Sequence, residues 1–100
     1  MQVLESDVER RFVNFLEKYG VMHAKLNLQG RRGWPDRIVI LPHGRVLFVE
    51  LKRPGEELQP LQRHIHEQLR DQGQLVVTVD DPVKAFNFVK DQYLYAYAKV

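Results

Sequence analysis

The chain is 100 residues long, 44% hydrophobic and 10% aromatic, which suits one domain spanning residues 1–100 with a core of its own. It has no cysteine, which excludes a disulfide framework and any cysteine-based zinc site and fits a cytoplasmic protein. A net charge of +2 is not the balance of a histone-like protein, no run of about 18 apolar residues offers a membrane span, and Met1 to Asp7 lacks the basic-then-apolar layout of a signal peptide.

Ser6 is placed to cap a first helix running to about Tyr19, with Val8, Phe12, Phe15, Leu16 and Tyr19 at helical spacing on one face and Gly20 as its stop. Val21 to Leu28 reads as a strand, and Gln29 to Gly33 as a polar loop carrying Arg31 and Arg32. Pro35 holds Trp34 extended. Arg37 to Leu41 and Arg45 to Lys52 are apolar strands that form a hairpin across Pro42-His43-Gly44. Pro54-Gly55 breaks the chain. A second helix runs from Pro60 to about Gln72, with proline at its first position, Gly73 just past its end, and Leu61, Ile65 and Leu69 as its buried stripe. Leu75 to Val79 is a further strand, and Asp81-Pro82 opens a third helix. The tail with Tyr93, Tyr95 and Tyr97 suits either a strand or more of that helix, and either a cap on the core or a dimer contact. The order α-β-β-β-α-β-α predicts an α/β fold, a small mixed sheet packed between helices.

The hairpin carries the chemistry. With His43 and Gly44 as a two-residue loop, opposed residues sum to about 87 in number, which puts Asp36 opposite Leu51 and one step from Glu50. Glu50 and Lys52 are two apart and share a face. Two acids and an amine thus meet at one end of strands that otherwise read as buried. This set suits phosphodiester hydrolysis: Mg2+ takes oxygen ligands and needs one or two carboxylates, and Lys52, kept charged by the acids, orients water or steadies phosphate charge. The plain alternative is a salt-bridged strand end. The apolar run Val46-Leu47-Phe48-Val49 weighs against it, because charges are costly beside a buried strand.

Gly33-Trp34-Pro35-Asp36, with Asp36 fourteen residues before Glu50 of Glu50-Leu51-Lys52, resembles the PD-(D/E)xK nuclease signature. With Gly30-Arg31-Arg32-Gly33 before it and Gln62 after it, the chain is similar to the VRR-NUC branch from Glu9 to about Asp80. That branch includes stand-alone phage and bacterial domains of this size. The resemblance implies a restriction-endonuclease-like core, α-β-β-β-α-β with a central mixed sheet flanked by helices and a C-terminal helix or tail. It also implies a Mg2+- or Mn2+-dependent DNA endonuclease, and a homodimer suited to branched DNA such as a Holliday junction.

Residue by residue, the resemblance assigns Asp36, Glu50, Glu9 and the Leu51 carbonyl to the metal, and Lys52 and Gln62 to the nucleophile or phosphate. Glu9 has a competing use in a capping box with Ser6, and Glu5 is the weaker competitor for the metal. Gln62 also suits a satisfied, half-buried amide. Lys25, Arg31, Arg32, Arg53 and Arg63 are candidate contacts to DNA phosphates, or ordinary surface charge. Trp34 is assigned to packing. His64 and His66, two apart on a helix, point apart and make no zinc pair. A non-catalytic DNA-binding or assembly module that keeps the fold is the rival reading, and a purely structural domain leaves the acids unexplained.

Overall fold

The structure, a computed structural model, describes residues 3–98, with side chains placed through Tyr95. Helix α1 (Glu5–Lys18) leads into β1 (His23–Lys25), β2 (Arg37–Ile40), β3 (Val46–Leu51), α2 (Pro60–Asp71), β4 (Leu75–Val79) and α3 (Pro82–Ala98). The four strands form one mixed sheet in the order β1-β2-β3-β4. The first three run antiparallel, and β4 joins β3 in parallel through the α2 crossover.

The face of the sheet carrying Val39, Leu47, Val49 and Leu51 packs on Val8, Phe12 and Leu16 of α1 and on Ala85 and Val89 of α3. This is the α/β sandwich expected from the element order. Alternation along β3 sends Phe48 and Glu50 to the opposite face. There Phe48 meets the edge of Trp34 at 6.4 Å between ring centroids, as packing requires, and Glu50 meets α2.

Several local expectations shift. Helix α1 starts at Glu5, not after Ser6: Leu4 is its N-cap and the Asp7 carboxylate accepts the Leu4 N–H at 3.2 Å. Asp7 therefore fills the box position expected of Glu9, and Glu9 is free of capping. Strand β1, at the sheet edge, has three residues in place of the expected Val21 to Leu28. Hydrogen bonds from Leu26 N–H to Asp36 O (2.8 Å) and from Ile40 N–H to Met22 O (2.9 Å) extend its pairing irregularly on either side.

The hairpin loop has three residues, not two. Leu41 N–H bonds Arg45 O at 2.9 Å, and His43 (φ 63°) and Gly44 (φ 77°) turn the chain through the left-handed region. Arg37 consequently opposes Val49, one residue off the expected register. The buried stripe of α2 is also rotated, to His66 and Leu69. Leu61 and Ile65 instead cover the loop at Gly33, whose added Cβ would lie 2.9 Å from Leu61 Cγ. The tail continues α3 as helix. Tyr93 packs on the core and Tyr95 lies 4.6 Å beneath the Arg45 guanidinium, while the Tyr97 side chain is outside the described residues.

Candidate active site

The one-residue shift in register puts Asp36, just before β2, opposite Glu50 itself. Asp36 is fixed there by its Oδ2, which accepts the Leu51 N–H at 3.0 Å. Proline at 35 and the close seat of Gly33 on α2 hold the approach to it. Glu50 ends an apolar strand and is almost fully buried, at 1% exposure. Lys52 follows on the same side, also buried, with its N–H bonded to Val79 O at 2.9 Å. The expected trio therefore converges at one end of the sheet.

The first turn of α1 supplies the next acid. Carboxylate oxygens of Glu5, Asp36 and Glu50 lie within 4.8 Å of one another, close enough to hold a metal ion together. Glu9, the acid expected there, lines the same cleft with Glu5, Ser6, Lys25, Asp36 and Leu51. Its carboxylate is turned to Arg37 Nη1 at 3.2 Å and to Lys25 Nζ at 4.0 Å. Glu5 stands one helical turn before Glu9, so the two acids share a face of α1 and reach different parts of the same cleft.

Electrostatics mark Glu50 as the unusual member. Burial, helped by the adjoining Asp36 carboxylate through hydrogen bonding and like charge, pushes its pKa up to about 9, with Lys52 pulling the other way. Burial, and then Asp36, also raises Glu5. Glu50 Oε1 is buried without a hydrogen-bond partner among the described residues. Three carboxylates this close, one of them almost fully buried, fit a divalent cation, whose charge would remove both the repulsion and the desolvation cost.

Two residues passed over in sequence belong to this region. His66 of α2 is fully buried, with Nε2 3.4 Å from Glu50 Oε1, and its pKa is lowered by burial and then by Arg70. A signal for it existed: His66 stands four residues after Gln62 and three before Leu69, on the face of α2 that meets the sheet. Arg37 is buried at the start of β2, bonded to Glu9 and, at 3.1 Å through Nη2, to His23 Nδ1. Its place two residues before Val39, on the core side of β2, was the available clue.

Gln62 is committed in part elsewhere, since its Oε1 accepts the Gln59 N–H at 2.9 Å and closes the start of α2. Its Nε2 is not used in that bond. Lys25, Arg31, Arg32, Arg53 and Arg63 are all exposed. Arg31 and Arg32 sit on the loop leading to Asp36, and Arg53 directly follows Lys52.

Residues 5–80 match the VRR-NUC domain family. The chain belongs to the VRR-NUC family. The relative named "Putative nuclease p44", from Acyrthosiphon pisum secondary endosymbiont phage 1, is 40% identical over 78 residues, covering 78% of this chain and 84% of its own length. A solved structure titled as a VRR_NUC domain is 32% identical and superposes with a TM-score of 0.75, covering 86% of this chain and 94% of the other. A second, titled as a VRR_NUC domain protein, reaches 0.72 at 21% identity over 96% and 92% of the two chains, which speaks to the fold alone. VRR-NUC membership makes this a nuclease and implies a divalent metal, and the acidic group at the sheet end is where the fold has room for one.

Proposed function

We propose that this VRR-NUC chain is a Mg2+- or Mn2+-dependent DNA endonuclease that acts as a homodimer on branched DNA such as a Holliday junction. The observation that carries the metal-dependent reading is Glu50: a carboxylate buried at 1% exposure and grouped within 4.8 Å with two further carboxylates. A salt-bridged strand end would lie at the surface and would not need three acids.

Asp36 and Glu50 would hold the ion, with the Leu51 carbonyl beside them and Glu5 closing the group from α1. Glu9, on the cleft wall, acts through water or by fixing Lys25 and Arg37. The chemistry supplied by such an ion is polarisation of the phosphate and a lower pKa for water. A bound cation would favour the ionised form of Glu50, whose burial otherwise favours the protonated one. Lys52 orients the attacking water and balances charge on the phosphate. Gln62 uses its free amide nitrogen toward the same groups, from the α2 face that also carries His66. Arg31, Arg32, Arg53, Arg63 and Lys25 hold the DNA backbone. A two-fold dimer would present two such sites to symmetry-related strands, the requirement for resolving a four-way junction.

The test is cleavage of supercoiled plasmid, linear duplex and a synthetic four-way junction in Mg2+, Mn2+ or chelator, with Glu50→Ala and Lys52→Ala alongside. The proposal expects metal-dependent cutting, strongest on the junction and lost in both variants, and a dimer mass in sedimentation. Cutting in chelator, or in both variants, rules out the mechanism. Tight binding with no cutting of any DNA would favour the non-catalytic module, and equal cutting of all substrates would remove the junction preference.

A further inference from the structure

Inside α2, one group is left unexplained by the acids, the lysine and the glutamine. His66 has no exposed surface, and neither Nδ1 nor Nε2 has a hydrogen-bond partner among the described residues. A buried imidazole with both nitrogens unsatisfied is costly, and such groups are rare in folded proteins. A leucine there would fill similar space without that cost. The nearest polar atom recorded for it is the equally orphaned Glu50 Oε1, 3.4 Å from Nε2. That separation is longer than the usual N–H···O distance, and the two groups are not aligned as a hydrogen bond.

His66 lies outside the metal-holding group. The atoms that cluster within 4.8 Å are carboxylate oxygens of Glu5, Asp36 and Glu50, with no imidazole nitrogen among them. The ring reaches Glu50 from α2, on the face of the sheet opposite the one packed on α1. We infer that His66 is a positioning residue: its Nε2–H donates to Glu50 Oε1 and fixes the carboxylate plane, leaving the second oxygen to face the metal side. The inference rests on the metal site proposed above. Partners of this kind set the direction and basicity of a metal-binding carboxylate, and their loss typically weakens metal affinity by about 10–100-fold.

The two amide side chains separate this role from simple packing. The nitrogen of glutamine can be placed where Nε2 lies, whereas that of asparagine corresponds to Nδ1. Mn2+ binding is measured by the loss of the free-ion paramagnetic resonance signal for the wild type, Asp36→Asn, His66→Gln and His66→Asn, with a thermal melt of each. The expected result is a loss of about 10–100-fold in affinity for His66→Asn, with most of it recovered by His66→Gln. Wild-type affinity in His66→Asn, or no recovery in a folded His66→Gln, overturns the inference.

Should neither His66 variant fold, the ring nitrogens of the wild-type protein decide it by nitrogen NMR in saturating Mg2+. A proton on Nε2 supports the donor role, and a proton on Nδ1 with bare Nε2 overturns it. Failure of the wild type to bind Mn2+, or binding unchanged by Asp36→Asn, would instead remove the metal site itself and the inference with it.

Discussion

Glu50 is held at the end of β3 by a strand that wants to be dry. Its neighbours Val49 and Leu51 are core residues, and its own carboxyl is buried on the opposite face, against His66 of α2. With the pKa raised to about 9 from an ordinary 4.5, the folded chain keeps a proton that the unfolded chain gives up. Between those values folding binds more protons, so stability declines as pH rises. His66 acts in the opposite sense. Its pKa lies below the ordinary 6.5, so the folded chain binds fewer protons in that range and loses stability as pH falls. In chelator, the melting temperature of the wild type is expected to fall from about pH 7 to about pH 9, and that of Glu50→Gln to change much less. Equal slopes would show that Glu50 is not the buried charge. The buried character of Glu50 was legible in Val46-Leu47-Phe48-Val49. The partner on its far side was legible only as a position, four residues after Gln62 and three before Leu69, because helical spacing does not say which strand residue the helix covers.

The elements do more than carry these residues. The loop before β2 is pressed onto α2 at Gly33, where φ is +85° and an added Cβ would meet Leu61 Cγ at 2.9 Å and Leu61 O at 3.0 Å. Gly33→Ala combines backbone strain with a contact against main chain, and is expected to cost about 1–3 kcal/mol in chemical unfolding. A stability within error of wild type would mean the loop does not seat on α2.

Gln62 has two separable uses in the same helix. Gln62→Glu keeps the oxygen that caps Gln59 and removes the amide nitrogen, whereas Gln62→Ala removes both. The expected outcome is lost cleavage in both variants, with a drop of about 0.5–2 kcal/mol in stability for Gln62→Ala alone. Full cleavage by Gln62→Glu would reduce Gln62 to a cap. At this scale the sequence was readable in element type and order, through proline, glycine and apolar spacing. It was less readable in phase. A cap at Leu4 in place of Ser6, a three-residue hairpin loop and a rotated α2 stripe each moved a boundary or a face by one or two residues. Leu4 has no capping oxygen to advertise its place, and the loop closes through Leu41 and Arg45, whose pairing is visible only in the backbone.

For the whole molecule, the packing of α1 on the sheet decides which acids meet. Glu5, at the start of the helix, joins Asp36 and Glu50, while Glu9, one turn on, meets Arg37 and Lys25. Long-range meetings of this kind depend on three elements at once, and no local pattern encodes them. Arg31 and Arg32 are exposed on the loop that leads to Asp36, and the proposed DNA contact there can be tested by its charge. Replacing both with alanine is expected to weaken binding to all DNA sequences similarly and to reduce the salt slope of log K by about 2. An unchanged slope, measured by fluorescence anisotropy at several salt concentrations, would place the DNA elsewhere.

The most direct test of the account is where a metal settles. Crystals grown with Mn2+ and measured at the manganese absorption edge would locate the ion by its anomalous signal. The account predicts a peak about 2.1 Å from oxygens of Asp36 and Glu50, with Glu5 closer to it than Glu9. A peak that leaves Glu50 out, or no peak at the end of the sheet in protein that cleaves DNA, would contradict it.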